Sequence, residues 1–219
     1  AALIFVVLAI VAMIPIPYVI ESPGTAEEVS QFLTISGAKD EDPGSLRVLT
    51  VYVEQATVLT YFKKFLKHHE MVPAEEVFGD YTPEEFDALQ DFSMRNARSK
   101  AVRVAFEAAG KTVERHVNGI FVTRVDPNSN FRDKLKVGDI IETIDGKSPG
   151  NTDESFEELR DYLASLEPGH TLVLQVKRDN ATRTISANLK MDSRTGGIRL
   201  GFGGEVDEDV TSDPSVEFD

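Results

Sequence analysis

A chain of 219 residues with a net charge of −14 and no cysteine has room for one large or two modest domains. It has no means of building a disulfide framework, a Cys-based zinc site or thiol chemistry. Its 37 acidic against 23 basic side chains argue against nucleic-acid binding, which leans on clustered Lys and Arg.

The chain opens with Ala1 to Ile16, an uncharged and almost wholly apolar run. About 17 to 25 such residues span a bilayer as a helix, a length approached when Val19 and Ile20 are included. Pro15 and Pro17 would end that helix at the interface, with Tyr18 as an anchor. Residues 1–20 are therefore expected to form a single-pass transmembrane anchor, with the bulk of the chain outside the cytoplasm at the cell membrane. A cleaved signal peptide is the rival reading, but Val11-Ala12-Met13-Ile14 offers a poor cleavage site.

Residues 21–110 read as an α+β region. Glu21 to Gly24 is expected as an exit linker, followed by strands at Val29–Ile35 and Leu46–Val53 with Asp42-Pro43-Gly44 in the turn between them. From Thr57, Leu59, Phe62, Phe65 and Leu66 are spaced for one buried helical face. Thr82-Pro-Glu-Glu85 places a cap, a first-turn proline and a capping-box acid ahead of a long helix that Gly110 ends. It runs through Phe86, Leu89, Phe92, Met94, Ala97, Ala101, Val104 and Ala108, with Met94 and the aromatics expected in the core.

Residues 111–204 carry the densest signals. Lys111 to Val117 alternates loosely and meets Asn118-Gly119, a hairpin signal. Gly119-Ile-Phe-Val-Thr-Arg-Val125 and Ile140-Ile-Glu-Thr-Ile144 read as strands, the second closed by Asp145-Gly146. Phe156, Leu159, Tyr162, Leu163 and Leu166 then recur at helical spacing behind Thr152 or Asp153 as N-cap, and Pro168-Gly169 stops the helix. Thr171–Arg178 and Thr182–Leu189 form a hairpin around Asp179-Asn180. Residues 205–219 are expected as an acidic linker, with Glu205, Asp207, Glu208, Asp209, Asp213, Glu217 and Asp219 contributing −7.

The run Gly119-Ile-Phe-Val followed by Leu135-Lys-Val-Gly-Asp-Ile-Ile-Glu-Thr-Ile-Asp-Gly146 closely resembles a PDZ domain. The resemblance implies an extended peptide added as a strand between a sheet edge and a helix, its carboxylate held by backbone N–H groups of a Gly-containing loop. A helix occupies the place where many PDZ domains carry their first strand, so the missing strand is expected downstream, at Gly197-Ile-Arg-Leu-Gly-Phe202, as in a circularly permuted PDZ. On that reading Thr112 to Val117 is the groove edge. The peptide-binding residues are Ala109, Gly110, Lys111, Thr112 and Val113 on one side, with Phe156, Arg160 and Leu163 facing them from the helix. The alternative, Arg199-Leu-Gly-Phe202 as the carboxylate loop, ranks second because the residues after it are acidic and do not alternate like a strand.

The order of parts extends the resemblance. An apolar start, Tyr18-Val-Ile-Glu-Ser-Pro-Gly24, two strands, a long helix and a PDZ module are similar to the front of the bacterial membrane-anchored, PDZ-containing Lon-type serine proteases, which include the streptococcal pheromone-processing protease. The resemblance implies a substrate-recognition portion ahead of a protease domain that uses a Ser-Lys dyad. That family's serine lies in a Gly-Pro-Ser-Ala-Gly stretch, which is absent here, so no catalytic residue is assigned. A non-enzymatic, membrane-anchored peptide-binding adaptor is the alternative. The implied partners are a peptide or protein substrate, the membrane and a downstream protease domain, with no nucleic acid.

No cofactor or metal is expected. Gly110-Lys111-Thr112 mimics the end of a phosphate loop, but Ala105 stands where the first glycine belongs. His68-His69-Glu70 and the alternating acids from Asp207 to Asp213 are weak metal candidates, the second lacking the turn glycine and closing Glu of a calcium loop. Ser99 and Lys100 are neighbours on a helix and diverge.

Overall fold

The computed structural model describes residues 2–37, 44–193 and 196–218. The chain divides into two compact units, Ala1–Pro83 with Pro214–Asp219, and Glu84–Asp213.

In the first unit, helix α1 (Ala2–Ala12) has 11 residues and buries none of them. It is followed by strand β1 (Pro15–Glu28), which pairs antiparallel with β3 (Arg47–Thr57) and, over Tyr18–Glu21, with β4 (Glu70–Pro73). The order is β3-β1-β4, with Val19, Ile20 and Ala56 buried in it. Helix α2 (Ala74–Phe78) follows β4, and β2 (Leu33–Ile35) pairs with β12 (Val216–Phe218).

This corrects the expected anchor. No helix among the described residues is long and apolar enough to cross a membrane, so neither an N-terminal transmembrane helix nor the single-pass cell-membrane placement drawn from it is supported. Eleven helical residues rise only about 16 Å, roughly half of a bilayer core. The physical reason lies at Pro15 and Pro17. The chain turns extended there, where proline's fixed φ is tolerated, and Val19 and Ile20 enter a sheet core instead of lengthening the helix.

Other expectations in this unit shift for similar reasons. Glu21–Gly24, read as a linker, is strand. Val29–Gln31 is a 3₁₀ turn, which leaves only Leu33–Ile35 of the expected first strand. That strand pairs with β12 and not with β3; Asp42 and Pro43 of the expected turn lie outside the described residues. Thr60–Phe65 is a 3₁₀ helix, and Leu59, Phe62, Phe65 and Leu66 are exposed.

In the second unit, helix α3 (Pro83–Ala108) runs as expected and ends at Gly110, whose φ is +69°. Phe92, Asn96, Val102 and Phe106 form its buried stripe, whereas Met94 and Val104 are exposed. Strand β5 (Val113–Val125) runs straight through the expected hairpin at Asn118-Gly119. Gly119 serves a close approach instead: a Cβ there would stand 2.5 Å from the Ile141 carbonyl oxygen of β6 (Ile140–Ile144). Helix α4 (Asp153–Ala164) follows, then β7 (Thr171–Arg178) and β8 (Ala181–Asn188) as a hairpin in full register. Short β9 (Lys190–Met191) and β10 (Ile198–Arg199) pair with each other, and β11 (Phe202–Ser212) returns to lie beside β5.

The resulting sheet has the order β11-β5-β6-β7-β8, so a strand late in sequence sits against the first. Its core gathers Val122, Phe131, Leu135, Ile141, Ile144, Leu159, Leu172, Leu174, Val176 and Leu189. Asp139 is buried among them because Arg178 grips it at 2.5 and 2.6 Å and the Lys136 N–H donates to it at 2.8 Å. At the β6 turn, Asp145 accepts from the Val173 N–H and the Tyr162 hydroxyl, and pairs with the His170 ring. Burial works against its charge, but these hydrogen bonds prevail and hold the carboxyl below its ordinary 3.8.

Candidate functional site

Helix α4 is fixed at its start by a capping box, in which Thr152 accepts from the Ser155 N–H and the Ser155 side chain meets the Thr152 backbone. Asp153 and Glu154 in the first turn complement the helix dipole. Leu159 points into the core. Phe156, Arg160 and Leu163, spaced four and three apart, lie on a different line: Phe156 and Leu163 half-buried, Arg160 exposed and 3.6 Å from Glu157.

Strand β11 is the edge of the sheet, with β5 as its one strand neighbour among the described residues. Its residues Glu205 to Ser212 are those expected as an acidic linker. They form a strand because cations meet them. From α3, Arg95 lies 3.4 Å from Asp207, Lys100 3.7 Å from Glu205 and Arg103 3.7 Å from Glu208, while Arg115 of β5 hydrogen-bonds Glu208. Phe92 of α3 stacks on Phe121 of β5 at 4.1 Å between ring centroids. The helix therefore covers this face of the β11–β5 pair.

The seam is polar and imperfectly satisfied. Asp207 and Glu208 are 3% and 4% exposed, and one oxygen of each lacks a hydrogen bond among the described residues, as do Asn96 Oδ1 and Arg103 Nε. Burial pushes the Asp207 carboxyl above its ordinary 3.8, with Arg95 opposing and Asp209 reinforcing the shift.

The sequence-derived site residues fall into two groups. Phe156, Arg160 and Leu163 share one line of α4. Ala109, Gly110, Lys111, Thr112 and Val113 do not form a free edge opposite them. The N–H groups of Ala109, Gly110 and Lys111 donate to Ala105, Glu107 and Phe106 carbonyls to end α3, and Val113 to Val117 pair with Ser212 to Glu208 of β11. The edge strand of the sheet is β11, which follows Arg199-Leu-Gly-Phe202. Gly201 turns there at φ +80°, and its carbonyl accepts from the Asp126 N–H. Leu200 and Phe202 pack on the same core as Leu163 and Leu166 of α4. At the other end Arg115 spans from Glu208 of β11 to Asp153 in the first turn of α4, 2.7 Å away. The signal available in the sequence was the Leu-Gly-Phe turn itself; the acids after it concealed the strand.

The alternating acids from Asp207 to Asp213 and the His68-His69-Glu70 trio form no group that could hold a metal ion among the described residues.

A family model for the PDZ domain matches residues 93–189. Among curated proteins, none matches significantly. Solved structures similar to this chain include the PDZ domain of the SdrC-like protein from Listeria monocytogenes, at 25% identity over 40% of this chain and 87% of that one, with a TM-score of 0.35. The PDZ domain of the SdrC-like protein from Listeria innocua is 27% identical over 40% and 94% of the two chains, with a TM-score of 0.35. A protein from Geobacillus thermodenitrificans is 29% identical over 39% and 94%, with a TM-score of 0.33. With its Leu-x-x-Gly-Asp turn, five-stranded sheet and capped helix, the second unit of this chain contains a PDZ domain.

Proposed function

We propose that the chain recognises peptides or protein segments in extended form, in a groove between the outer edge of β11 and the Phe156–Arg160–Leu163 line of α4. One observation carries this reading: β11 is an edge strand of a PDZ sheet, with backbone groups on one side that no other described strand uses. An added strand would gain main-chain hydrogen bonds there, while Phe156 and Leu163 supply apolar contacts and the Leu200-Gly201 turn supplies backbone donors at one end. Such grooves bind modestly, with a Kd on the order of micromolar, about −8 kcal/mol.

The broader role we infer is substrate recognition for a Lon-type Ser-Lys endopeptidase. What supports it is the order of motifs from Tyr18-Val-Ile-Glu-Ser-Pro-Gly24 to Gly197-Ile-Arg-Leu-Gly-Phe202, together with a peptide-binding module. No residue of this chain is given a catalytic role.

The test is a peptide library incubated with the chain, with binding and cleavage followed together. Binding without cleavage is expected, and Leu163→Glu is expected to weaken binding about tenfold or more while the circular dichroism spectrum and cooperative melt are retained. Full binding by a folded Leu163→Glu variant would remove the groove from α4.

A further inference from the structure

The open edge of β1 in the first unit is a second docking site, and we propose that it takes an extended peptide carrying a basic side chain. The strand pairs with β3 along most of its length, from Pro15 to Glu28, yet β4 covers its other edge only from Tyr18 to Glu21. The cause is local. At His68 the backbone adopts φ +63°, a left-handed conformation that turns the chain out of line before β4 begins. Ser22 to Glu28 therefore has no strand on that side among the described residues.

An open cleft of about 690 Å³ occupies this place, bounded by Ser22 to Ala26 of β1 and by His68 to Glu70. Leu49 and Val51 of β3 also line it and are 78% and 61% exposed. Its size falls within the range of ligand sites. Thr25 turns its N–H and carbonyl to Thr50 Oγ1 of β3. The rest of the stretch is strand without a partner strand on the open side among the described residues, beside exposed apolar side chains, which is the surface that strand addition uses. Four or five extended residues, at roughly 3.4 Å each, would continue the line of β4 along β1.

Charge selects among such peptides. Glu21 and Glu70 stand directly opposite each other in the β1–β4 register, and both line the cleft. Like charges in that position repel, and neither carboxylate has an ion pair among the described residues. A lysine or arginine on the incoming strand would meet both. The site is separate from the β11–α4 groove and does not depend on it.

The test uses the whole chain, labelled with ¹⁵N, and a capped hexapeptide of alternating valine and threonine with one central lysine. Acetylation and amidation leave it no terminal carboxylate, so its binding does not report on a carboxylate-holding turn. The backbone amides of Ser22, Gly24, Thr25 and Ala26 are expected to shift on titration, Pro23 having no N–H. Replacing the lysine with glutamate, or Glu70 with glutamine (Glu70→Gln), is expected to weaken binding by about tenfold. N-methylation of alternate peptide residues is expected to abolish it. The proposal is overturned by shifts confined to β11 and α4, by no shifts at all, or by affinity indifferent to N-methylation and charge. Concentration-dependent shifts of residues 22–26 without peptide would overturn it in favour of a second copy of the chain.

Discussion

Two buried aspartates show how the same residue type acts in opposite ways. Asp139 is enclosed but completely met, by both arms of Arg178 and the Lys136 N–H. Asp207 is enclosed with one oxygen unmet and a cation only at 3.4 Å. Removing one partner of a satisfied buried pair leaves the other charge stranded, so Asp139→Ala is expected to lower stability by about 3 kcal/mol in denaturant melts. Asp207 carries a pH dependence of the other sign. Its folded carboxyl sits above 3.8, so the protonated form favours the fold, and its contribution rises as pH falls through the folded value and is complete near 3.8. Asp145 sits below 3.8; the stability it supplies is present above that value and is lost only as pH falls through its folded value. Asp207→Asn should therefore flatten stability against pH on the acid side of neutrality while leaving the loss below 3.8 in place. Melts of both proteins between neutrality and pH 3 measure this; an unchanged slope would remove Asp207 as its source.

At the scale of elements, legibility followed the periodicity of burial. Helix α3, helix α4 and strands β6 to β8 were readable because one apolar stripe or face of each meets one core, as Leu172, Leu174 and Val176 do along β7. Strand β11 was not, because its inner neighbours are the arginines of α3 and β5, and an acidic strand facing cations shows no apolar alternation. Residues 113–117, expected as an open edge, are instead paired with β11, which takes the outer place in the sheet. The Phe156–Arg160–Leu163 line kept its place on α4 because a capped helix fixes its own faces without reference to partners. The apolar start of the chain misled in the opposite way. Composition suggested one long helix, and two prolines divided it into a short helix and a strand. At this scale Arg115 is the residue that joins elements, meeting Glu208 of β11 and Asp153 of α4. Arg115→Ala is expected to cost up to about 3 kcal/mol, because among the described residues Glu208 then keeps only Arg103 at 3.7 Å. Arg115→Lys should recover part of that in the same melts, and a neutral Arg115→Ala would show the contact to be idle.

At the scale of the whole molecule, the two units differ in how much apolar surface they withdraw from water. The second gathers a continuous core from its sheet, α4 and the Phe131–Leu135 turn. The first buries Val19, Ile20 and Ala56 and leaves Leu49, Val51, Tyr52, Phe62 and Phe65 exposed. Exposed apolar area of that extent marks interaction surfaces more often than inert ones. The −14 charge opposes self-association of the chain and favours cationic partners. The proposed peptide groove belongs to the second unit, where a peptide would enter as a strand on β11 against α4. The most direct measurement is a ¹⁵N titration of the chain with a library-selected peptide bearing a free carboxylate. Amide shifts concentrated at residues 201–206 and 156–163 are expected, with cross-strand contacts between peptide and β11. Shifts concentrated instead at residues 109–117, with β11 unmoved, would contradict the proposed groove.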